Sequence, residues 1–108
     1  MAYDSAMDES QYLKLVDEAL ERAATWLEDF DPDEVDFSTT DGVVTIEFAD
    51  GTRYVLNRQR AANQIWFAAG SRAWHYNLDE STGTWLDAKG SGELFANLKA
   101  CVDAKLNG

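Results

Sequence analysis

Asn57-Arg58-Gln59-Arg60-Ala61-Ala62-Asn63-Gln64-Ile65-Trp66-Phe67 reads as the end of one strand, a short connection and the start of another. Side chains alternate along a strand, so Ile65 and Phe67 belong to one face of a sheet and Gln64, Trp66 and Ala68 to the other. A hydrophobic interior has no use for amides beside an indole. One sheet face is therefore expected to pack a core, and the opposite face to present Trp66 among polar groups to something outside the chain.

The segments on either side extend the same pattern. Val35-Asp36-Phe37-Ser38-Thr39 alternates as a strand, and Asp41-Gly42 is a hairpin signal. Val44, Ile46 and Phe48 then point inward with Thr45 and Glu47 outward. After a second turn at Asp50-Gly51, Tyr54 and Leu56 point in, and Arg53, Val55 and Asn57 point out. Gln64 to Ala69 is the fourth strand, and Gly70-Ser71-Arg72 turns the chain. The fifth strand places Trp74, Tyr76 and Leu78 on one side and His75 and Asn77 on the other. Glu80-Ser81-Thr82-Gly83 leads into a short sixth strand around Trp85.

Helices flank this meander. Residues 1–7 read as a loose start, and Asp8 with Gln11 resembles a capping box. From about Glu9 to Asp29, Tyr12, Val16, Ala19, Ala23, Leu27 and Phe30 fall on one side of a helix, while Asp17, Glu21 and Glu28 share a stripe away from it. Glu18 and Arg22 have the spacing of an i,i+4 ion pair. Pro32 stops the helix or closely follows its end. Ser91 is the expected N-cap of a last helix, about Gly92 to Leu106, with Leu94, Leu98, Cys101, Val102 and Lys105 inward and Phe95 adjacent. The fold class is α+β: a two-layer αβ sandwich, with the N- and C-terminal helices packed on one face of a five- to six-stranded antiparallel sheet. Residues 1–108 are expected to form one domain.

Charge narrows the function. Twenty acidic against nine basic residues give a formal net charge of -11. Nucleic-acid binders need clustered Lys and Arg, so phosphate backbones are excluded as partners in favour of cations and basic protein surfaces. The start of the chain has neither the apolar run of a secretory signal nor the Arg of a mitochondrial presequence. No apolar run approaches the roughly 18 residues of a membrane span. One cysteine, Cys101, leaves no internal disulfide and fits a reducing compartment.

No zinc-spaced Cys/His set, phosphate-cradling glycine loop or nucleophile elbow is present. His75 reads as a surface imidazole and Cys101 as a packing residue. Trp26, Trp74 and Trp85 read as packing residues too. The carboxylates are the unusual resource. Beyond Asp17, Glu21 and Glu28, the run from Asp29 to Asp36 carries Asp29, Asp31, Asp33, Glu34 and Asp36. Hard oxygen donors suit Fe³⁺, Mg²⁺, Ca²⁺ and Mn²⁺, with Fe²⁺ borderline. Such a ridge serves either as a solvated, solubility-giving face or as a docking surface. Trp66 among amides fits an interface anchor. Arg58 and Arg60 either balance nearby acids or meet a partner's.

Gly42-Val43-Val44-Thr45-Ile46-Glu47-Phe48, Asn57-Arg58-Gln59 and Gln64-Ile65-Trp66-Phe67-Ala68 together resemble the frataxin family, in its short bacterial form. The similarity runs over nearly the whole chain, from the acidic first helix to Trp85 and the closing helix. It implies an αβ sandwich and a role in iron–sulfur cluster assembly, as an iron-binding regulator or iron chaperone that docks on the cysteine desulfurase complex. It implies iron, Fe²⁺ or Fe³⁺, bound weakly at Asp17, Glu21, Glu28, Asp29, Asp31, Asp33 and Asp36. It implies partner contacts at Asn57, Gln59, Gln64 and Trp66. Two departures stand out: Ala24 and Thr25 occupy a helix turn where bacterial relatives often carry acids, and Ala61-Ala62 replaces a common Pro, which suggests a looser connection.

The expected protein is then non-enzymatic, cytoplasmic and bacterial, with cysteine desulfurase and the iron–sulfur scaffold protein as partners and neither nucleic acid nor membrane. A monomer is expected, with iron-driven oligomers as a variation. The alternatives are an acidic module that occupies basic protein surfaces without iron dependence, and a weak ferroxidase.

Overall fold

The computed structural model describes residues 9–108. The loose start over residues 1–7 and the Asp8 half of the capping box lie outside the described residues. Helix α1 spans Glu9–Leu27 and buries Tyr12, Val16, Ala19, Leu20, Ala23 and Leu27. Leu20 widens the expected stripe, as the i, i+3, i+4 repeat allows. The helix stops short of Asp29. Its end tightens instead, Asp29 N–H bonding to the Trp26 carbonyl and Phe30 N–H to the Leu27 carbonyl. Carboxylates at 28 and 29 meet the negative end of the helix dipole, which opposes further winding. Phe30 lies beyond the helix and packs edge-on to Trp26, centroids 4.9 Å apart.

Six strands follow: β1 Val35–Thr40, β2 Val43–Phe48, β3 Arg53–Gln59, β4 Gln64–Ala69, β5 Arg72–Asp79 and β6 Thr84–Asp87. They form one antiparallel meander in sequence order. β4 sits inside the sheet, with Phe67 opposite Leu56 on β3 and opposite Trp74 on β5. Val44, Ile46, Phe48, Leu56, Ile65, Phe67, Trp74, Tyr76 and Trp85 face the helices and are buried. The β3–β4 connection is a single 3-10 turn, Arg60–Ala62, closed by Asn63 in the left-handed conformation at φ 53°. Ala61-Ala62 lies within this turn, which Asn63 N–H closes on the Arg60 carbonyl.

Helix α2 spans Leu94–Asn107 and buries Leu94, Leu98 and Val102. Its N-cap is Glu93, not Ser91: the Glu93 carboxylate accepts from the N–H groups of Phe95 and Ala96, both at 3.1 Å. Ser91 is occupied elsewhere, its N–H on Asp87 and its carbonyl on Asn97. Gly92, at φ +108°, bends the chain before the helix can begin. The expected Glu18–Arg22 pair does not form. The Arg22 guanidinium lies 3.9 Å from the centroid of the Phe95 ring, which joins α1 to α2 by a cation–π contact.

Two tyrosines carry polar atoms into this interior. Asn97 donates to the Tyr76 hydroxyl at 2.9 Å. The Tyr12 hydroxyl donates to the Gln64 carbonyl at 2.8 Å, tying α1 to the first residue of β4. Burial raises the pKa of both phenols, so both remain neutral at physiological pH, Tyr12 as a donor and Tyr76 as an acceptor. Tyr12→Phe keeps the ring and removes only this bond. It is expected to lower the unfolding free energy by about 1 kcal/mol in urea titrations, with the slope against denaturant unchanged.

Candidate functional site

The outer face of the sheet is built by pairing alone. Asn57, Trp66 and His75 lie side by side across β3, β4 and β5, and Gln59, Gln64 and Asn77 form the next row. Leu86 continues that second row on β6 and is 40% exposed. All four expected partner-contact residues, Asn57, Gln59, Gln64 and Trp66, therefore share one surface, each half-buried. Trp66 is less open than alternation alone suggests. The His75 ring stacks on it at 4.1 Å between centroids, 12° from parallel. The Trp66 Nε1–H donates to Gln64 Oε1 at 2.8 Å, and Gln64 Nε2 donates to Asn77 Oδ1 at 3.1 Å.

The acidic residues occupy the neighbouring side. Asp17, Glu21 and Glu28, from α1 and the turn after it, line a groove against β1 and β2 together with Phe37, Thr39, Thr40 and Asp41. Ala24 and Thr25 form part of its wall. Glu21 and Glu28 also border a shallower depression that Asp29 completes. Asp31 and Asp33 are exposed in the turn before β1, where Asp31 Oδ1 accepts the Asp33 N–H at 2.9 Å. Asp36 differs from the rest. It pairs in register with Glu47, on the outer sheet face. The acidic surface thus passes over the β1 edge and reaches the face that carries Trp66. Among the described residues, no three His, Cys, Asp or Glu side chains group closely enough to hold a metal ion.

Both arginines beside the site are used within the chain. Arg58 continues the inner face beyond Ile65, and its side chain is 16% exposed. It pairs with Asp41 at 3.2 Å and with Asp17 at 3.7 Å. Asp17 is therefore partly neutralised, which sets it apart from Glu21 and Glu28. Gly42 makes room for this pairing, since a Cβ there would lie 2.8 Å from Arg58 Cζ and the backbone stands at φ +76°. Arg60 pairs with Glu9 at the start of α1.

Asp41 and Leu86 belong to these surfaces and were not singled out from sequence. Asp41 follows from the hairpin once α1 is docked beside it, a tertiary fact. Leu86 needed only the alternation of β6 about Trp85.

Asp87 fixes the β5 end of the outer face. Its carboxylate accepts from the N–H groups of His75 at 3.2 Å, Lys89 at 3.1 Å and Ser91 at 3.1 Å. Burial pushes its pKa up, but these backbone donors outweigh that and the net shift is downward.

Comparison with known proteins gives a consistent result. A family model described as Frataxin-like domain matches residues 5–108. The iron-sulfur cluster assembly protein CyaY of Delftia acidovorans is 36% identical over 95 residues, covering 85% of each chain. The protein of the same name from Azotobacter vinelandii is 34% identical over 96 residues, covering 86% of each. Among solved structures, the frataxin of Psychromonas ingrahamii superposes with a TM-score of 0.82 at 25% identity, over 92% of this chain and 91% of that one. The trimeric yeast frataxin complexed with ferrous iron superposes at 0.73 and 24% identity, over 100% and 94%, a likeness of fold.

The Asp87 contacts carry a pH dependence with a defined sign. A carboxyl whose pKa is lower folded than unfolded stabilises the fold above its unfolded value, near 4, and loses that contribution as pH falls through the folded one. Asp87→Asn is expected to be less stable than the parent at pH 7. The gap should close steadily below about pH 4 in parallel denaturation curves. A gap that stays constant down to pH 2 would refute this account of Asp87.

Proposed function

The chain belongs to the frataxin-like family, and we propose from that membership that it is an iron-binding regulator, or iron chaperone, of iron–sulfur cluster assembly that docks on the cysteine desulfurase complex. The curated relatives carry the assembly role in their names. The observation that carries the reading is the adjacency of two unlike surfaces: exposed carboxylates from α1 over the β1 edge, and an amide-flanked Trp66 on the sheet beyond it.

The division of labour follows from range. Unpaired carboxylates act over about a Debye length, roughly 8 Å at physiological salt, and speed encounter with a basic surface. Trp66, Asn57, Gln59 and Gln64 act only on contact and determine the fit. Iron is cargo, held by one or two carboxylates at a time and otherwise by water, among Asp17, Glu21, Glu28, Asp29, Asp31, Asp33 and Asp36. Binding it lowers the negative charge of the ridge and so alters docking, which couples iron level to desulfurase control. The protein acts by association without turnover, as a single domain in the bacterial cytoplasm. It is monomeric when iron-free and is driven towards oligomers by iron, a tendency consistent with the trimer named for the yeast neighbour.

Two measurements test this. Reversing Asp29, Asp31 and Asp33 to Lys should slow association with the desulfurase and flatten its salt dependence. Trp66→Ala should instead speed dissociation, by about 30-fold for an anchor worth about 2 kcal/mol. If the combined variant binds like the parent, the docking mechanism is wrong. In an NMR titration, Fe²⁺ should broaden Glu21, Glu28 and the 29–33 turn before any residue of the outer sheet face. Broadening that begins at His75 would move the iron site off the ridge.

A further inference from the structure

Trp66 is restrained by its own chain from more than one direction. His75 covers one face of the indole at 4.1 Å and 12° from parallel. The Gln64 side chain takes the indole N–H at 2.8 Å and is itself held by Asn77 at 3.1 Å. Neither holder is loose. Gln64 has its carbonyl fixed by Tyr12, and His75 has its backbone N–H fixed by Asp87. A surface indole otherwise samples several rotamers and gives its N–H to water.

We propose that His75, Gln64 and Asn77 are positioning residues that lock Trp66 in one orientation before a partner arrives. This rests on the docking role proposed above and deepens it. The Gln64 amide is directed at the indole and at Asn77, so Gln64 orders Trp66 as well as forming part of the contact surface itself. The His75 ring serves the same end as a flat support. A partner meeting a fixed indole need not order it, and freezing one such side chain on binding typically weakens affinity about 3- to 10-fold.

The test uses the full chain and two independent readouts. The first is the Trp66 indole N–H resonance in the free protein, assigned through Trp66→Phe, with its heteronuclear NOE as a measure of rapid motion. The second is dissociation from cysteine desulfurase. His75→Ala and Gln64→Ala should each lower the indole NOE and raise the off-rate about 3- to 10-fold, with thermal midpoints near the parent's. His75→Phe, which restores a flat ring over the indole, should return both values towards the parent's. An indole equally rigid in His75→Ala and the parent overturns the proposal. So does His75→Phe binding as weakly as His75→Ala with the indole still rigid, because the imidazole would then be contacting the partner itself. If the parent does not bind the desulfurase at all, the docking reading fails; the NMR arm still decides whether the lock exists.

Discussion

β4 has to satisfy two surfaces with six residues. Ile65 and Phe67 are fully buried beneath the helices, while Gln64 and Trp66 lie on the opposite face. A slip of one residue against either neighbour would exchange these faces, placing an amide and an indole in the core and Ile65 in water. The register is held on both flanks, by Leu56 and Trp74 inside and by Asn57 and His75 outside. The Tyr12 hydroxyl on the Gln64 carbonyl fixes the strand at its origin, and the Asn63 turn sets where it begins. Burial of the inner residues therefore determines the geometry of the outer ones. The site needs no separate scaffold.

The charge distribution follows from the same architecture. α1 lies across β1 and β2, so its polar stripe necessarily runs beside the open β1 edge. Arg58, reaching over from β3, neutralises the part of that stripe nearest the sheet through Asp17 and Asp41. Glu21, Glu28 and the 29–33 turn have no such partner among the described ion pairs, which concentrates the unbalanced charge at the C-terminal end of α1. On an edge strand, this charge has a second effect. Asp36, exposed on the edge strand β1, discourages another chain from adding to the sheet, while Glu47 beside it is paired with Arg53.

Most of the fold could be read from period. The alternation of Val44, Ile46 and Phe48, the turns at Asp41-Gly42 and Asp50-Gly51, and the stripe from Tyr12 to Leu27 each have a local cause, and each holds in the structure. What local rules missed was settled by distant partners. Ser91 has the right chemistry for an N-cap, but its carbonyl accepts from the Asn97 side chain and Gly92, at φ +108°, bends the chain between it and the helix. Glu18 and Arg22 have the right spacing, but the Arg22 guanidinium lies over the Phe95 ring of the other helix. The outer face was legible as a set of positions. Its internal bonds, from Trp66 to Gln64 to Asn77, were not, because alternation specifies a face and leaves the rotamers open.

The two surfaces fail in different ways when perturbed, and this gives their adjacency physical meaning. Charge on a solvated ridge tolerates substitution, since its effect is summed over several residues and is screened within about 8 Å at physiological salt. A stacked, hydrogen-bonded indole does not, since its worth depends on one orientation. A partner drawn in by the ridge arrives with broad orientational freedom. On the outer sheet face Asp36 stands four residues along β1 from the row Thr40, Val43, Asn57 and Trp66, so the long-range field borders the short-range surface on one side of the sheet. Weakening of the field by a bound cation would therefore lower the frequency of productive encounters while leaving the fit at Trp66 unchanged.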